Sequence, residues 1–265
     1  MTLALILIAV LSYAACGWRV WRYPQHDSML ERALAGVAIV LHAAVLGHQA
    51  LQGGAIRIGL PEAASLFTLQ SAVLLWLLSW REPLRSLGLT IYPLTGLAAL
   101  WAALDPSLFD AAPVADWKLR WHIILSLFSA GLLTIAAMQA GALALQDRLL
   151  HRHDLSRLLL GGLPPLQTME RLLFQLIAIG FLLLSLTLLS GLWFVHDWFA
   201  QHLAHKTVLS ITAWLIFGTL LWGRWRYGWR GRTAIRWSLA GYTVLILAYF
   251  GSKLVLEQFL GKHWT

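Results

Sequence analysis

Histidine is the residue type in this sequence best suited to chemistry, because the chain holds ten of them among very few charged side chains. His42 lies in the middle of a long apolar run, and His122 begins another. His196 ends a third apolar run, and His202 and His205 follow it closely. Ionisable residues within apolar spans are costly and usually mark function. Three separate regions therefore supply imidazoles, which can bind metals or carry protons.

His122 is the strongest of these candidates because of the residues that follow it. Ser126 and Ser129 lie four and seven positions further on, and Ala136 and Ala140 continue the same helical face. A face of small and polar residues is typical of a membrane helix that packs against other helices. We therefore expect His122 to point into a helix bundle, either as a ligand or as a hydrogen-bond partner of a neighbouring helix.

Three kinds of site would use such imidazoles. Zinc would suit His202 and His205, which are three residues apart with Asp197 nearby. Haem needs one or two axial imidazoles and a large apolar slot. A proton relay through His42 is the third option. The residue types leave these options open, although Cys16, as the one cysteine, supports neither a disulfide nor a cysteine-based metal site.

The elements that position these residues follow from the composition. Of the 265 residues, 59% are hydrophobic and only 12% are charged, whereas soluble domains carry about a quarter charged residues. A soluble enzyme and a disordered regulator are therefore excluded. The net charge is +8, but the basic residues cluster in short loops between apolar runs. Anionic lipid, and no nucleic acid, is the partner that this arrangement predicts.

Charged residues divide the chain into eight apolar runs, each close to the roughly 20 residues that a membrane-spanning helix needs. The sequence therefore predicts an all-α, polytopic membrane helix bundle that forms a single domain over residues 1–265. The eight predicted transmembrane helices are 2–18, 33–52, 63–80, 86–104, 119–146, 172–196, 205–223 and 236–256.

The distribution of basic residues predicts the orientation of the bundle. Of the 20 Lys and Arg residues, 14 lie in odd-numbered loops: Arg19, Arg22, Arg32, Arg81, Arg85, Arg148, Arg152, Arg157, Arg171, Arg224, Arg226, Arg230, Arg232 and Arg236. By the positive-inside rule, these loops are cytoplasmic and both termini lie outside.

Several short motifs in the second half of the chain are distinctive. They are WHI at 121–123, SL at 126–127, LPPLQTMER at 163–171, GF at 180–181, SGLW at 190–193, TAWLI at 212–216, GWRGR at 228–232 and YFGS at 249–252. Together they resemble the cytochrome c assembly protein family of the CcsA/HemX type over residues 115–255. Within that family the chain is similar to the small eight-span inner-membrane proteins of the YpjD type.

The resemblance implies a multi-pass inner-membrane protein that binds a non-covalent, b-type haem near the outer face. It would assist c-type cytochrome assembly or haem-protein biogenesis, with cytochrome c assembly proteins or apocytochrome c as partners. The family's haem-delivering members carry a tryptophan-rich WGxxWxWD segment, which the interval 193–206 does not keep. We therefore expect a haem-binding accessory protein that is not an enzyme.

The predicted haem site joins the ends of three spans. His122 and either His196 or His205 would face each other and ligate the haem iron. Three tryptophans, Trp121, Trp193 and Trp198, would line the slot between them. His42, which corresponds to an intramembrane histidine of the family, would form a second, deeper site. Two other functions stay open: a permease for haem or a small solute, and a ligand-free membrane scaffold for an assembly complex.

Overall fold

The computed structural model describes residues 2–24, 28–52, 60–104, 117–151, 163–194 and 201–251. Within these ranges every regular element is helical, which confirms the predicted all-α class. The α-helices are α1 (Thr2–Arg22), α2 (Met29–Gln52), α3 (Leu60–Leu78), α4 (Gly88–Leu104), α5 (Trp117–His151), α6 (Leu166–Phe194), α7 (Gln201–Tyr227) and α8 (Gly231–Ile246). A 3₁₀ turn, Arg85–Leu87, precedes α4, and a π-helical turn, Leu247–Gly251, follows α8.

Among the described residues, seven helices, α1 to α7, are long and apolar enough to cross a membrane. The prediction of eight such helices is wrong for this part of the chain. The eighth predicted span, 236–256, overlaps α8 and the π-helical turn, and its residues 252–256 lie outside the described part. Helix α8 itself has 16 residues and carries Arg232 and Arg236 in its first two turns. A span needs about 20 largely apolar residues. The side of the membrane on which each terminus lies stays a prediction, and an external C-terminus would require an eighth crossing.

Contacts divide the chain into two compact units. The first unit comprises α1 to α4 together with the end of α5. The second unit comprises the greater part of α5 with α6, α7, α8 and the π-helical turn. Each unit has its own polar contacts between helices, and these position its histidine.

In the first unit, α1 packs against both α2 and α4, and α3 packs against α4. Small residues allow the close approach of α1 and α4: a Cβ at Gly17 would lie 3.1 Å from Cγ of Pro93. Tyr13 is fully buried and packs beside Gly96 of α4. The core of this unit therefore forms around the middle of α1.

An ion pair closes one end of the first unit. Arg85 donates to both carboxylate oxygens of Glu31, with distances of 2.9 Å to Oε1 and 2.6 Å to Oε2. Its guanidinium also donates to the backbone oxygens of Tyr23 and Pro24, at 3.0 and 2.7 Å. One side chain therefore joins the connection between α1 and α2 to the connection between α3 and α4.

In the second unit, the small and polar face of α5 packs against α6, as predicted. Ser129 is fully buried and its hydroxyl donates to the Gly180 backbone oxygen at 3.0 Å. Gly180 is required there, since a Cβ would lie 2.8 Å from the side chain of Leu133. The α6 residue Phe181 stacks on Trp214 of α7, with ring centroids 5.5 Å apart. Helices α6 and α7 are thus packed neighbours, as their short connection requires.

The turn from α7 to α8 is shaped by two glycines with positive φ angles, Gly228 at 66° and Gly231 at 52°. Left-handed backbone of this kind favours glycine because it has no Cβ. Beside the turn, Arg224 donates to Glu170 of α6 at 2.8 Å, and its guanidinium lies 4.6 Å from the ring centroid of Phe174. This ion pair connects the end of α7 to the start of α6.

Candidate ligand cavity in the second unit

The second unit contains a cavity of about 570 Å³. Helices α5, α6 and α7 and the π-helical turn after α8 line it. Its lining residues are mostly apolar or uncharged: His122, Ser126, Leu184, Ser185, Thr187, Leu188, Leu189, Gly191, Leu192, Lys206, Thr207, Ser210, Ile211, Trp214, Ala248 and Tyr249. Small-molecule and cofactor sites are typically concave, apolar and of roughly 300–1,000 Å³, with a few placed polar groups. The cavity therefore has the size and lining of a ligand site.

His122 lies half-buried at this cavity, in the second turn of α5. Its Nδ1 is 2.9 Å from Oγ of Ser190 on α6. The Ser190 hydroxyl donates its one hydrogen to the Thr187 backbone oxygen at 2.9 Å. The serine oxygen must then accept from Nδ1, which leaves a lone pair on Nε2 of the neutral ring. Metal-binding histidines are commonly oriented in this way, through a hydrogen bond from the nitrogen that does not bind the metal.

Gly191 gives the imidazole its space on α6. A Cβ at this position would lie 3.2 Å from Cε1 of His122, which is closer than almost all side-chain contacts. The neighbouring Ser190 orients the ring while Gly191 lets it approach the helix. Two consecutive residues of α6 therefore set the position of the candidate ligand.

Hydrogen bonds hold two aromatic residues of the cavity wall in place. The indole Nε1 of Trp214 donates to Oγ of Ser185 at 2.8 Å. The Tyr249 hydroxyl donates to the Ser126 backbone oxygen at 3.0 Å. Buried aromatic side chains with satisfied polar groups make rigid apolar walls. With their polar atoms hydrogen-bonded within the protein, both residues can contribute apolar ring surface to the cavity lining.

The predicted site residues are distributed unevenly around this cavity. His122 lines it, whereas Trp121 and Trp193 do not: they are 56% and 84% exposed, as expected of tryptophans that face lipid or the interface. The tryptophan of the described wall is Trp214 instead. Three predictions fall outside the described residues: His196, Trp198 and the side chain of His205.

Sequence reasoning missed Ser190 and Trp214. Ser190 is 68 residues from His122 in sequence, so no local spacing connects the two. A weak signal was nevertheless present, because Thr187, Ser190 and Gly191 follow one another at helical spacing within a leucine-rich span. A small and polar face on α6 that matches the one on α5 identifies the contact between the two helices.

His42 lies in the first unit and is only 1% exposed. Its Nε2 is 2.8 Å from Oγ of Ser65 on α3, and the ring meets Tyr13 edge-on at a centroid distance of 6.1 Å. Within the described ranges, Nδ1 of His42 and the Tyr13 hydroxyl have no hydrogen-bond partner. The ring is enclosed by protein atoms, so His42 in this packing does not fit a haem macrocycle.

The zinc alternative gains no support from the described residues, where no three His, Cys, Asp or Glu side chains are grouped to hold a metal ion. Its proposed ligands are not among them: Asp197 and the side chains of His202 and His205 all lie outside the described part.

Comparison with known proteins identifies the family of the chain. The sequence profile of the family described as "Cytochrome C assembly protein" matches residues 37–260, a range that includes both His42 and His122. The chain is 35% identical to "Inner membrane protein YpjD" of Escherichia coli (strain K12) over 225 residues, which cover 84% of this chain and 85% of that protein.

A second, more distant similarity points the same way. The chain is 28% identical to "Cytochrome c biogenesis protein CcsA" of Prochlorococcus marinus (strain MIT 9303) over 93 residues, 34% of this chain and 29% of that protein. No solved structure matches the chain. The long family match and the seven membrane-capable helices together establish a multi-pass inner-membrane protein that belongs to the cytochrome c assembly protein family.

Proposed function

We propose that the protein binds haem in the cavity of the second unit and assists the assembly of c-type cytochromes, with apocytochrome c or other assembly proteins as partners. The observation that carries this proposal is His122. Its Nε2 keeps a lone pair beside an apolar cavity of about 570 Å³, while Ser190 holds the proton on Nδ1. The similarity to a protein named for cytochrome c biogenesis also supports the proposal.

The residues present fit a haem. Leucine, isoleucine and alanine supply six of the sixteen lining residues, and Trp214 and Tyr249 add two aromatic rings whose polar atoms are already hydrogen-bonded. A bound haem would supply an iron centre that binds nitrogen ligands. His122 would hold that iron, Ser190 would keep the imidazole in the required tautomer, and the apolar wall would exclude water.

A second histidine to hold the iron is proposed to come from the connection between α6 and α7. His196 follows the end of α6 at Phe194 by two residues, and we rank it first. His205 directly precedes Lys206, which lines the cavity, and we rank it second. Two neutral imidazoles, from His122 and one of these histidines, would then hold the iron.

We propose non-covalent attachment, as in b-type haem. Covalent c-type attachment uses cysteine, and the chain has one, Cys16. That residue is buried in the first unit, where its sulfur lies 3.6 Å from the Glu31 backbone oxygen. The deeper site that the sequence predicted at His42 is not part of this proposal, because its ring is enclosed and paired with Ser65.

A role in holding and passing on haem, without catalysis, is the simplest use of this cavity. The described lining offers one imidazole, one ammonium group and several hydroxyls, groups that suit binding and orienting a ligand. The missing WGxxWxWD pattern between α6 and α7 agrees with this proposal.

The site is proposed to lie near the outer face of the membrane. If the arginine-rich odd loops are cytoplasmic, the N-terminus and the start of α5 are outside. His122 lies five residues after α5 begins, and Lys206 lies five residues after α7 begins. Reporter fusions after Asp110 and after Arg157 should then report the external and the cytoplasmic side, respectively.

The test is an absorbance spectrum of the detergent-purified protein after supply with haem. We expect a Soret band that His122→Ala weakens strongly and that the exposed control His151→Ala leaves unchanged. A parent protein without a Soret band would favour the ligand-free scaffold. Haem uptake by vesicles that contain the protein would instead favour the permease.

A further inference from the structure

The lining of the cavity is asymmetric along α7. Lys206, Ser210 and Trp214 are spaced four residues apart, so they form one stripe of the helix that faces the cavity. This stripe changes from a charged residue, through a hydroxyl, to an indole over eight residues, or about 12 Å. Thr207 adds a second hydroxyl at the charged end.

The lining residues of α6 can be placed along the same direction. At the deep end, Trp214 is bonded to Ser185 and lies with Leu184 among the lining residues. Since α6 and α7 are consecutive, antiparallel helices paired at Ser185 and Trp214, the start of α7 with Lys206 lies toward the end of α6, where Gly191 and Leu192 line the cavity. Among the described lining residues Lys206 is the one with a permanent charge, and none is acidic. An ammonium group at the edge of an apolar cavity favours an anionic group on the ligand.

We infer that Lys206, with Thr207 and Ser210, binds the carboxylates of a tetrapyrrole whose apolar edge lies against Trp214 and Leu184. This inference rests on the proposed function, since haem is a macrocycle with two carboxylates on one edge. It assigns an orientation to the ligand: the carboxylates lie toward the start of α7, and the hydrocarbon edge lies deeper. It also makes Lys206 a determinant of specificity for porphyrins with free carboxylates.

The experiment compares two metal-free probes, protoporphyrin IX and its dimethyl ester, which differ only in whether the carboxylates are free. Binding to the full-length, detergent-purified protein is followed by porphyrin fluorescence. We expect the parent to bind the free acid about tenfold more tightly than the ester. Lys206→Met should remove this preference, Lys206→Arg should keep it, and the exposed control Lys118→Met should behave as the parent.

These probes separate the inference from the proposed function, because they carry no iron. His122→Ala should lose iron coordination yet keep the preference for the free acid. If the parent binds haem but does not discriminate between the two probes, or if Lys206→Met still discriminates, the carboxylate assignment is overturned and the haem site stands. If the parent binds neither probe nor haem, both are overturned.

Discussion

The two units of the molecule use the same pair of residue types in different ways. In each unit a histidine is hydrogen-bonded to a serine of another helix: His42 to Ser65 at 2.8 Å, and His122 to Ser190 at 2.9 Å. His42 is enclosed by protein, whereas His122 lies at a cavity. A histidine within a membrane span therefore does not identify a ligand site by itself. The cavity that His122 lines, and the enclosure of His42 at 1% exposure, distinguish the two cases.

The ion pairs of the two units also differ in how enclosed their carboxylates are. Glu31 receives bonds from Arg85 on both oxygens, and its side chain is 7% exposed. Glu170 is bonded by Arg224 through one oxygen and is 16% exposed. Of the two carboxylates, Glu31 is thus the more enclosed and the more fully paired with its arginine.

Arg85→Met should have the largest effect on stability. It tests whether the ion pair between Arg85 and Glu31 holds the helices of the first unit together. The substitution leaves the Glu31 carboxylate buried without its partner, a change that costs about 3–5 kcal/mol. Thermal unfolding in detergent should show a clearly lower Tm, while haem binding below that temperature should be unchanged. The exposed Arg81→Met is the matched control. A Tm for Arg85→Met equal to that of this control would contradict the structural role of the pair.

A pair of serine substitutions compares the two histidines directly. Ser190→Ala removes the acceptor that orients His122, and loss of such an orienting partner lowers metal affinity by about 10–100-fold. Ser65→Ala should leave haem affinity unchanged but lower stability by about 1–3 kcal/mol, because the buried His42 ring loses its partner. Haem titration and thermal unfolding of both variants provide the readouts. Equal loss of haem affinity in the two variants would place a ligand site in the first unit as well.

The sequence predicted the features that rest on local pattern. Long apolar runs predicted α1 to α7, and the i+4 and i+7 serines after His122 predicted the buried face of α5. The count of eight failed for the described residues because the apolar run of the eighth span begins only after Arg236, within a helix of 16 residues. Local pattern could not predict that α8 would be so short.

The parts of the site that the sequence missed depend on distant contacts. Ser190 and His122 are 68 residues apart, and Trp214 and Ser185 are 29 apart, so only the fold brings each pair together. Trp193 is the reverse case: its residue type made it a candidate for the ligand site, but it is not among the residues that line the described cavity. A tryptophan at the end of a span suits a ligand wall and a lipid interface equally well, and its 84% exposure favours the interface.

Gly191→Ala should weaken haem binding less than Ser190→Ala does, and it tests the position of the His122 ring. The new Cβ would lie 3.2 Å from Cε1 of His122, so the ring must shift by a few tenths of an ångström. We expect a cost of about 1 kcal/mol, or roughly fivefold weaker haem binding, with a displaced Soret maximum. Gly141→Ala is the control, since that position meets no atom within 4 Å. Identical Soret maxima in the parent and Gly191→Ala would show that the ring does not ligate the iron.

Trp193→Ala should have the smallest effect. The indole is exposed and contributes nothing to the described cavity lining, so haem affinity should change by no more than about 0.5 kcal/mol, roughly twofold. The control is Trp222→Ala. Trp222 lies near the end of α7 and is also exposed, so this variant measures the general effect of losing an interfacial tryptophan. A tenfold loss of haem affinity in Trp193→Ala alone would restore this residue as a wall of the site.

The central claim is that Nε2 of His122 ligates the haem iron, and rescue by free imidazole tests it most directly. His122→Gly removes the ring and leaves space for an imidazole molecule at the cavity. We predict that the purified variant loses the parent's Soret band and regains it on addition of imidazole, whereas the parent spectrum does not change. A His122→Gly variant that keeps the parent's Soret band without imidazole would contradict the account.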